Sequence, residues 1–425
     1  MKMNIPLMAT LLGLSLIVCP IMYIYVGPAL DEVQLSTLKT LGMICACSAL
    51  YCFVVGELTG NNSQMDKLWS LLPIAYTWII AINGGLQLRL VVIAILATLW
   101  GCRLTMNFAR KGAYKLKFWE GEEDYRWSVV RSGAPFNNNR LAWGLFDLFF
   151  ISIYQNALVL MTTFPALVSM NSTVPFGWMD VIAAALMFYF ILHETIADEQ
   201  QWAFQTTKWK MINAGQKLED LPAPYNKGFN THGLWSRSRH PNYLGEQGTW
   251  CALYLFSVAA GVGIFNWSII GALLLIVLFM GSSALAEEIS SGKYPEYANY
   301  CQSVPRFFPW KKYNGLKNAG LRTRIFLFSF NQVFRGDAAE FFQHHPFECA
   351  VFQVVQLHAG IALGLNLADL DDHVLAAVLI VRNGAVCIQF FRNLFVFSGK
   401  TIDNGVAFYL DGLVILPVDI HRHTA

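Results

Sequence analysis

The chain is short of charge. Asp, Glu, Lys and Arg make up 14% of its 425 residues, where an ordinary soluble domain carries roughly a quarter. A soluble multidomain protein is excluded, because too few charged side chains exist to cover its surface. Disorder and a coiled coil fall on the same ground. An excess of either sign is missing too: 30 basic against 28 acidic residues leave +2, so no electrostatic footprint for nucleic acid is present. Cysteine is sparse and scattered, with nine residues sitting mostly inside apolar runs. There a thiol behaves as a small hydrophobe, and Cys45-Ala46-Cys47 has neither a second pair nor a nearby His to make a zinc site. What the chain does have is apolar residues, 55% of the total, and a mean hydropathy of +0.42. The composition is that of an integral membrane protein.

A bilayer core takes about 20 apolar residues in helical form. The sequence predicts an all-α polytopic transmembrane bundle with eight spans in residues 1–290, at 5–26, 36–56, 68–83, 86–108, 141–168, 178–192, 248–265 and 267–286. The first has no small-residue cleavage site before Pro28, so it reads as an anchor rather than a removed signal peptide. The connection from 108 to 141 holds Arg110, Lys111, Lys115, Lys117, Arg126, Arg131 and Arg140. The connections at 83–86, 169–177 and 263–266 carry no charge, and the one exception on that side holds Asp31, Glu32 and Lys39. Basic loops stay cytoplasmic, so the N-terminus and the charged loops are expected inside. Asn61, Asn171 and Asn266 begin Asn-x-Ser/Thr triplets, which arise by chance at this length and mark no compartment.

Three polar stretches interrupt this pattern. In the first, Arg237, Arg239 and His240 place two fixed cations and a titratable ring just before Pro241, a helix start. Free N–H groups, the helix dipole and arginine together favour an anion. A juxtamembrane cluster that only fixes topology explains the same residues equally well. Gly245 would let a ligand approach the backbone. In the second, Glu287-Glu288 ends the eighth span, where two carboxylates either cap a site or are simply solvated. In the third, Glu194 and Asp198 share a helix face at i and i+4 if the sixth span continues, which is unfavourable unless a cation or ligand lies between them. Arg103 and Asp147 fall at span ends and are expected to snorkel.

As an ordered set, these residues carry a resemblance. Arg239-His240-Pro241-Asn242-Tyr243-x-Gly245-Glu246, Glu287-Glu288, Tyr297 and the run from Val304 to Trp310 are similar to the C-terminal domain of the steroid 5-alpha-reductase family, closest to its uncharacterised bacterial membrane branch. Asp66-Lys67-Leu68-Trp69, Trp100-Gly101-Cys102-Arg103-Leu104, Glu123-Asp124-Tyr125-Arg126-Trp127 and Ala197-Asp198-Glu199-Gln200 fit that branch as well. The resemblance covers about residues 60–310. Isoprenylcysteine carboxyl methyltransferases share the Arg-His-Pro-x-Tyr-x-Gly element and the paired glutamates.

The resemblance implies a membrane enzyme, in a bacterial inner membrane, whose cytosol-facing cavity binds a nucleotide cofactor. NADPH is expected, for reducing a carbon–carbon double bond of a lipid or steroid-like enone; S-adenosylmethionine, with a methyltransferase activity, is the alternative. The cofactor-binding residues it implies are Asp198, Arg237, Arg239, His240, Asn242, Tyr243, Glu246, Glu287 and Glu288, with Arg126 and Lys227 as further phosphate partners. Glu57 and Tyr76 are the expected catalytic pair that polarises the substrate carbonyl, Glu57 as a carboxyl kept neutral beside hydrocarbon. Partners are then the lipid substrate and bilayer lipids, with no metal, no nucleic acid and no obligate protein partner.

The resemblance ends near Trp310, and the composition changes there. All 13 Trp lie at or before that residue, while six of nine His lie beyond it. Residues 1–315 read as the enzyme domain and 316–425 as an extension of low order with no catalytic role. Within the extension only 374–398 is long enough to span.

Overall fold

The computed structural model describes residues 29–309, with Ile21, Tyr23 and 25–27 ahead of them, and four strands at 377–382, 385–390, 408–410 and 413–416. The chain divides into two compact units, Met1–Gly320 and Leu321–Ala425.

Every described element of the first unit is helical. Helix α1, Glu32–Thr59, starts at Asp31, whose carboxylate accepts from the backbone amides of Val33 and Gln34 while the Gln34 side chain accepts in return from the Asp31 amide. This reciprocal cap satisfies donors that a helix start leaves open. Gly60, at φ 70°, closes its C-terminus. Then come α2 (Gln64–Asn83), α3 (Leu88–Ala109), α4 (Tyr125–Ser132) and α5 (Arg140–Thr162). The middle of α5, Asp147–Tyr154, is π-helical. Next are α6 (Phe164–Val168), α7 (Trp178–Asn213), α8 (Pro241–Ala259), α9 (Ile270–Lys293) and α10 (Tyr297–Ser303).

Five helices are long and apolar enough to cross a membrane: α1, α3, α5, α7 and the run Trp267–Lys293 that contains α9. The chain is a multi-pass membrane protein. Of the eight expected spans, five coincide with these helices. Helices do form at 64–83 and 241–259, but buried Gln64, Lys67, Ser70 and Thr77 in α2, and Glu246, Gln247, Thr249 and Ser257 in α8, make them more polar. The expected first span lies almost wholly outside the described residues. The sixth runs well past residue 192, as one helix to Asn213, which carries Glu194 and Asp198 into regular helix.

Two features lock the bundle. Trp100 of α3 and Trp250 of α8, both fully buried, meet edge to face with centroids 4.9 Å apart. Helices α7 and α8 come very close through Gly245 and Gly248, where a Cβ would fall 2.6 Å from the Glu194 Cβ and 2.3 Å from the Phe190 ring. Small residues at membrane-helix interfaces serve this purpose. Gly245 therefore admits a helix, not a ligand.

The second unit holds two antiparallel hairpins: β1 (Ala377–Arg382) pairs with β2 (Ala385–Phe390), and β3 (Phe408–Leu410) with β4 (Leu413–Leu416). The stretch 374–398, expected to be the longest apolar span of the extension, is strand where it is described.

Candidate functional site

Helices α3 and α7 run parallel and meet through two buried arginines on the same two elements. Arg89 pairs with Asp180 at one end, and Arg103 with Glu194 and Asp198 at the other. The 14-residue offset on each helix separates the ends by about 21 Å. The second cluster is the candidate site.

Glu194 and Asp198 do share a face, and the cation their spacing calls for is Arg103. Its two terminal nitrogens reach the two carboxylates, at 2.7 Å in the case of Asp198. Arg103 is buried, so its expected snorkelling is corrected: two carboxylates inside the bundle hold it there. Asp198 also accepts from Asn107 of α3 at 2.9 Å and from Asn242 of α8 at 3.2 Å. Three atoms of this cluster are buried without any hydrogen-bond partner: Arg103 Nε, Glu194 Oε2 and Asn242 Oδ1. Such atoms are rare in native proteins and each wants an explanation.

Around this centre the other motif blocks close in. Trp69 of α2 donates to Glu246 of α8 at 2.8 Å. Trp127 of α4 donates to Asp66 at 2.8 Å, and Arg126 grips Asp124 through three N–H groups while a fourth points to the Tyr243 hydroxyl at 3.4 Å. Burial and the neighbouring Asp124 raise the Asp66 carboxyl above the usual range. Burial also works to raise Asp124, but the Arg126 charge and its hydrogen bonds outweigh it and hold Asp124 low. The ring of Tyr243 lies flat on His240, 5.2 Å between centroids at 15°.

Arg239 behaves differently from its expected role. Nε and one terminal nitrogen bond Glu287, at 2.8 and 3.3 Å, and the other terminal nitrogen bonds the carbonyls of Cys301 and Val304. Glu287 further accepts from His240 or shares its proton at 3.0 Å, and accepts from Arg306 at 3.1 Å. This is a saturated clasp that ties the 301–306 chain to α8 and α9, and it leaves the guanidinium little capacity for a phosphate. Burial lowers the His240 ring below its ordinary value, and the Glu287 bond only partly offsets that. Glu288 and Arg237 are exposed. Lys227 pairs with Glu296 at 3.2 Å.

The expected catalytic pair is not brought together by any contact. Glu57 sits at the end of α1 in an ion pair with Arg140 at 2.7 Å. Tyr76 is fully buried in α2, its hydroxyl without a hydrogen bond of good geometry and its nearest ionisable neighbours the thiols of Cys45 and Cys52. Between α1 and α2 lies a mostly apolar groove, open to the outside and walled by Thr40, Met43, Ser48, Tyr51, Leu68 and Phe118. Lys67, fully buried, orders one wall by donating to the carbonyls of Phe118 and Glu120 at 2.7 Å each. Among the described residues no group of three His, Cys, Asp or Glu is placed to hold a metal ion.

Residues not singled out for the site, Asn107, Asp66, Trp69, Asp124 and above all Arg103, thus belong to it. All but Asn107 lie in blocks visible in the sequence, but only the tertiary contacts give them roles. Asn266, in the third triplet, is fully buried and caps the turn at Trp267–Ile269, where it is saturated by Tyr254, Ser257, Gly263 and Ser268.

No solved structure matches this chain. An uncharacterised protein of Schizosaccharomyces pombe is 36% identical over 278 residues, covering 61% of this chain and 78% of that protein. Residues 52–304, the span that contains every element of the Arg103 cluster, match a family described as protein of unknown function DUF1295, and the chain belongs to that family.

Proposed function

We propose that this protein is a membrane-embedded, NADPH-dependent reductase of a carbon–carbon double bond in a lipid or steroid-like enone. The observation that carries the reading is the set of unsatisfied atoms at the Arg103 cluster. Two acceptors, Glu194 Oε2 and Asn242 Oδ1, stand with one donor, Arg103 Nε. A primary carboxamide offers the complementary set of two N–H donors and one acceptor, so the residues present fit a nicotinamide. When bound, NADPH supplies a hydride for one carbon of the double bond, while a proton goes to the other and NADP⁺ is left. The chain's own residues then orient and enclose. Asp198, held by Arg103, Asn107 and Asn242, fixes the donor and acceptor pattern. Tyr243, backed by His240 and Phe279, supplies a flat wall. Arg126 is the remaining phosphate partner, and Arg239 acts through the clasp. The open, mostly apolar groove between α1 and α2 suits the tail of a bilayer-borne substrate.

Further support is the resemblance to the steroid 5-alpha-reductases, in which Asp198 and Asn242-Tyr243 fall on the reductase form. On this reading the cluster faces the cytosol of a bacterial inner membrane, in line with the basic loops. One observation favours the second reading, a methyltransferase using S-adenosylmethionine, a chemistry kindred to that of isoprenylcysteine carboxyl methyltransferases. Asp66, Asp124, Glu194, Asp198 and Glu246 gather around the site beside Trp69 and Trp127, and acids with aromatic rings suit a cationic cofactor.

The test is turnover by the full chain in nanodiscs with NADPH and a steroid enone probe, followed by loss of NADPH absorbance and mass analysis of the steroid. The expected result is consumption of NADPH with a product two hydrogens heavier, abolished in Asp198→Ala. Methylated product from S-adenosylmethionine and none from NADPH would overturn it.

A further inference from the structure

The chain that leaves α3 doubles back on itself before it reaches α4. The Glu122 amide donates to the Gly112 carbonyl at 3.0 Å, and at Gly121, φ 120°, a Cβ would fall 2.0 Å from the Ala113 carbonyl oxygen. The ends of this strap, residues 112–121, therefore touch, and the chain between them forms a closed loop. Four consecutive carbonyls of the strap are taken by side chains at the start of α2. Lys67 donates to Phe118 and Glu120 at 2.7 Å each, Gln64 to Trp119 at 3.0 Å, and Asn61, just ahead of the helix, to Gly121 at 3.0 Å. Lys67 is fully buried, and its ammonium bonds these carbonyls and the Gln64 amide oxygen rather than a carboxylate. Irregular backbone needs such partners wherever water is scarce.

The strap also lies against the apolar part of α1. Its Phe118 ring meets the Tyr51 ring with centroids 6.3 Å apart. Helix α1 is long and apolar enough to cross a membrane and carries no charge between Lys39 and Glu57. Tyr51 precedes Glu57 by six residues, about 9 Å along the helix axis. Phe118 thus reaches past the level at which α1 turns polar. On either side of it stand Leu116, fully exposed, and Trp119, 47% exposed. Lys115, Lys117 and Glu120 are exposed as well, and the last two pair at 3.2 Å.

We propose that this strap is a bilayer anchor, with Leu116 and Trp119 inserted among the acyl chains of a phospholipid monolayer and Lys115 and the Lys117–Glu120 pair at its headgroups. Tryptophan favours that boundary, and lysine stems are long enough to keep their ammonium groups in the headgroup layer. A loop standing in water has solvent for its carbonyls, and an exposed Leu and Trp gain nothing there. Phe118 also walls the groove between α1 and α2, so the anchored strap holds that wall at the level of the lipid. The anchor does not depend on which cofactor the Arg103 cluster holds.

The test is Trp119 fluorescence of the full chain in nanodiscs of phosphatidylcholine, either plain or brominated on the acyl chains close to the headgroup. Subtracting the spectrum of Trp119→Phe isolates this side chain among the 13 Trp. Its emission is expected to be largely quenched by the bromines and little affected by aqueous acrylamide. Leu116→Asp changes an exposed side chain and spares the fold. It is expected to draw Trp119 outward, with weaker quenching by bromine and stronger quenching by acrylamide. Lys67→Met, which uncaps two carbonyls, is expected to act in the same direction. Emission quenched by acrylamide but not by bromine, as for a loop in water, overturns the proposal. So does emission quenched by neither, as for a loop covered by another protein, or bromine quenching left unchanged in Leu116→Asp.

Discussion

The two buried arginines of α3 show what separates a brace from a site. Arg89 is saturated: Asp180 takes Nε and a terminal nitrogen at 2.6 and 3.0 Å, and the carbonyls of Val174, Pro175 and Ala259 take the rest. Asp180 is completed by the Gly177 amide. No atom of either side chain is left over. Arg103 engages the same partner helix with the same chemistry, yet it and its neighbours keep one donor and two acceptors open. Unsatisfied buried capacity, rather than charge or burial, is what singles out the end we propose as a ligand site. By this criterion the Arg239–Glu287 clasp belongs with the brace.

The largest effect expected from breaking the comparison is at the brace. Arg89→Leu leaves Asp180 buried and unpaired, which costs about 3–5 kcal/mol. Thermal unfolding in detergent is expected to show that loss, with the NADPH affinity of the folded fraction unchanged. At the site the pattern reverses. Asp198→Asn keeps shape but removes a charged partner of Arg103, and NADPH affinity measured by calorimetry is expected to fall roughly tenfold or more with a smaller loss of stability. The clasp is read through pH. Because burial lowers the His240 pKa, the unfolded chain takes up a proton below about pH 6.5 that the folded one resists. Stability therefore falls as pH drops through that region, by up to about 1.4 kcal/mol per pH unit, and His240→Gln is expected to flatten this slope in urea titrations. The smallest effect belongs to Tyr243→Phe. It keeps the stack on His240 and loses only the long contact to Arg126, so a reduction in NADPH affinity of about fivefold or less is expected.

Much of the helical unit could be read in advance, and the exceptions have physical causes. Long apolar runs give their helices away, but α2 and α8 bury polar side chains, and hydropathy alone cannot say whether a Lys67 or a Glu246 is buried or solvated. The i, i+4 spacing of Glu194 and Asp198 was legible because a helix face is a local property. That Arg103 fills the gap was not, since the partners are more than 90 residues apart. That Glu57 meets Arg140 was hidden for the same reason, since 83 residues separate them. The hairpins of the second unit had a local signal, Asn383-Gly384 and Asp411-Gly412 between short β-branched and aromatic runs. Such dipeptides are strong hairpin signals in a sequence.

The central claim is that the Arg103 end of α3 and α7 is a cofactor site that prefers NADPH. Calorimetric titration of the full chain in detergent with NADPH and with S-adenosylmethionine tests it most directly. The account predicts saturable NADPH binding that weakens in Asp198→Asn and is untouched per folded molecule in Arg89→Leu. Preference for S-adenosylmethionine, or binding of neither, would contradict it.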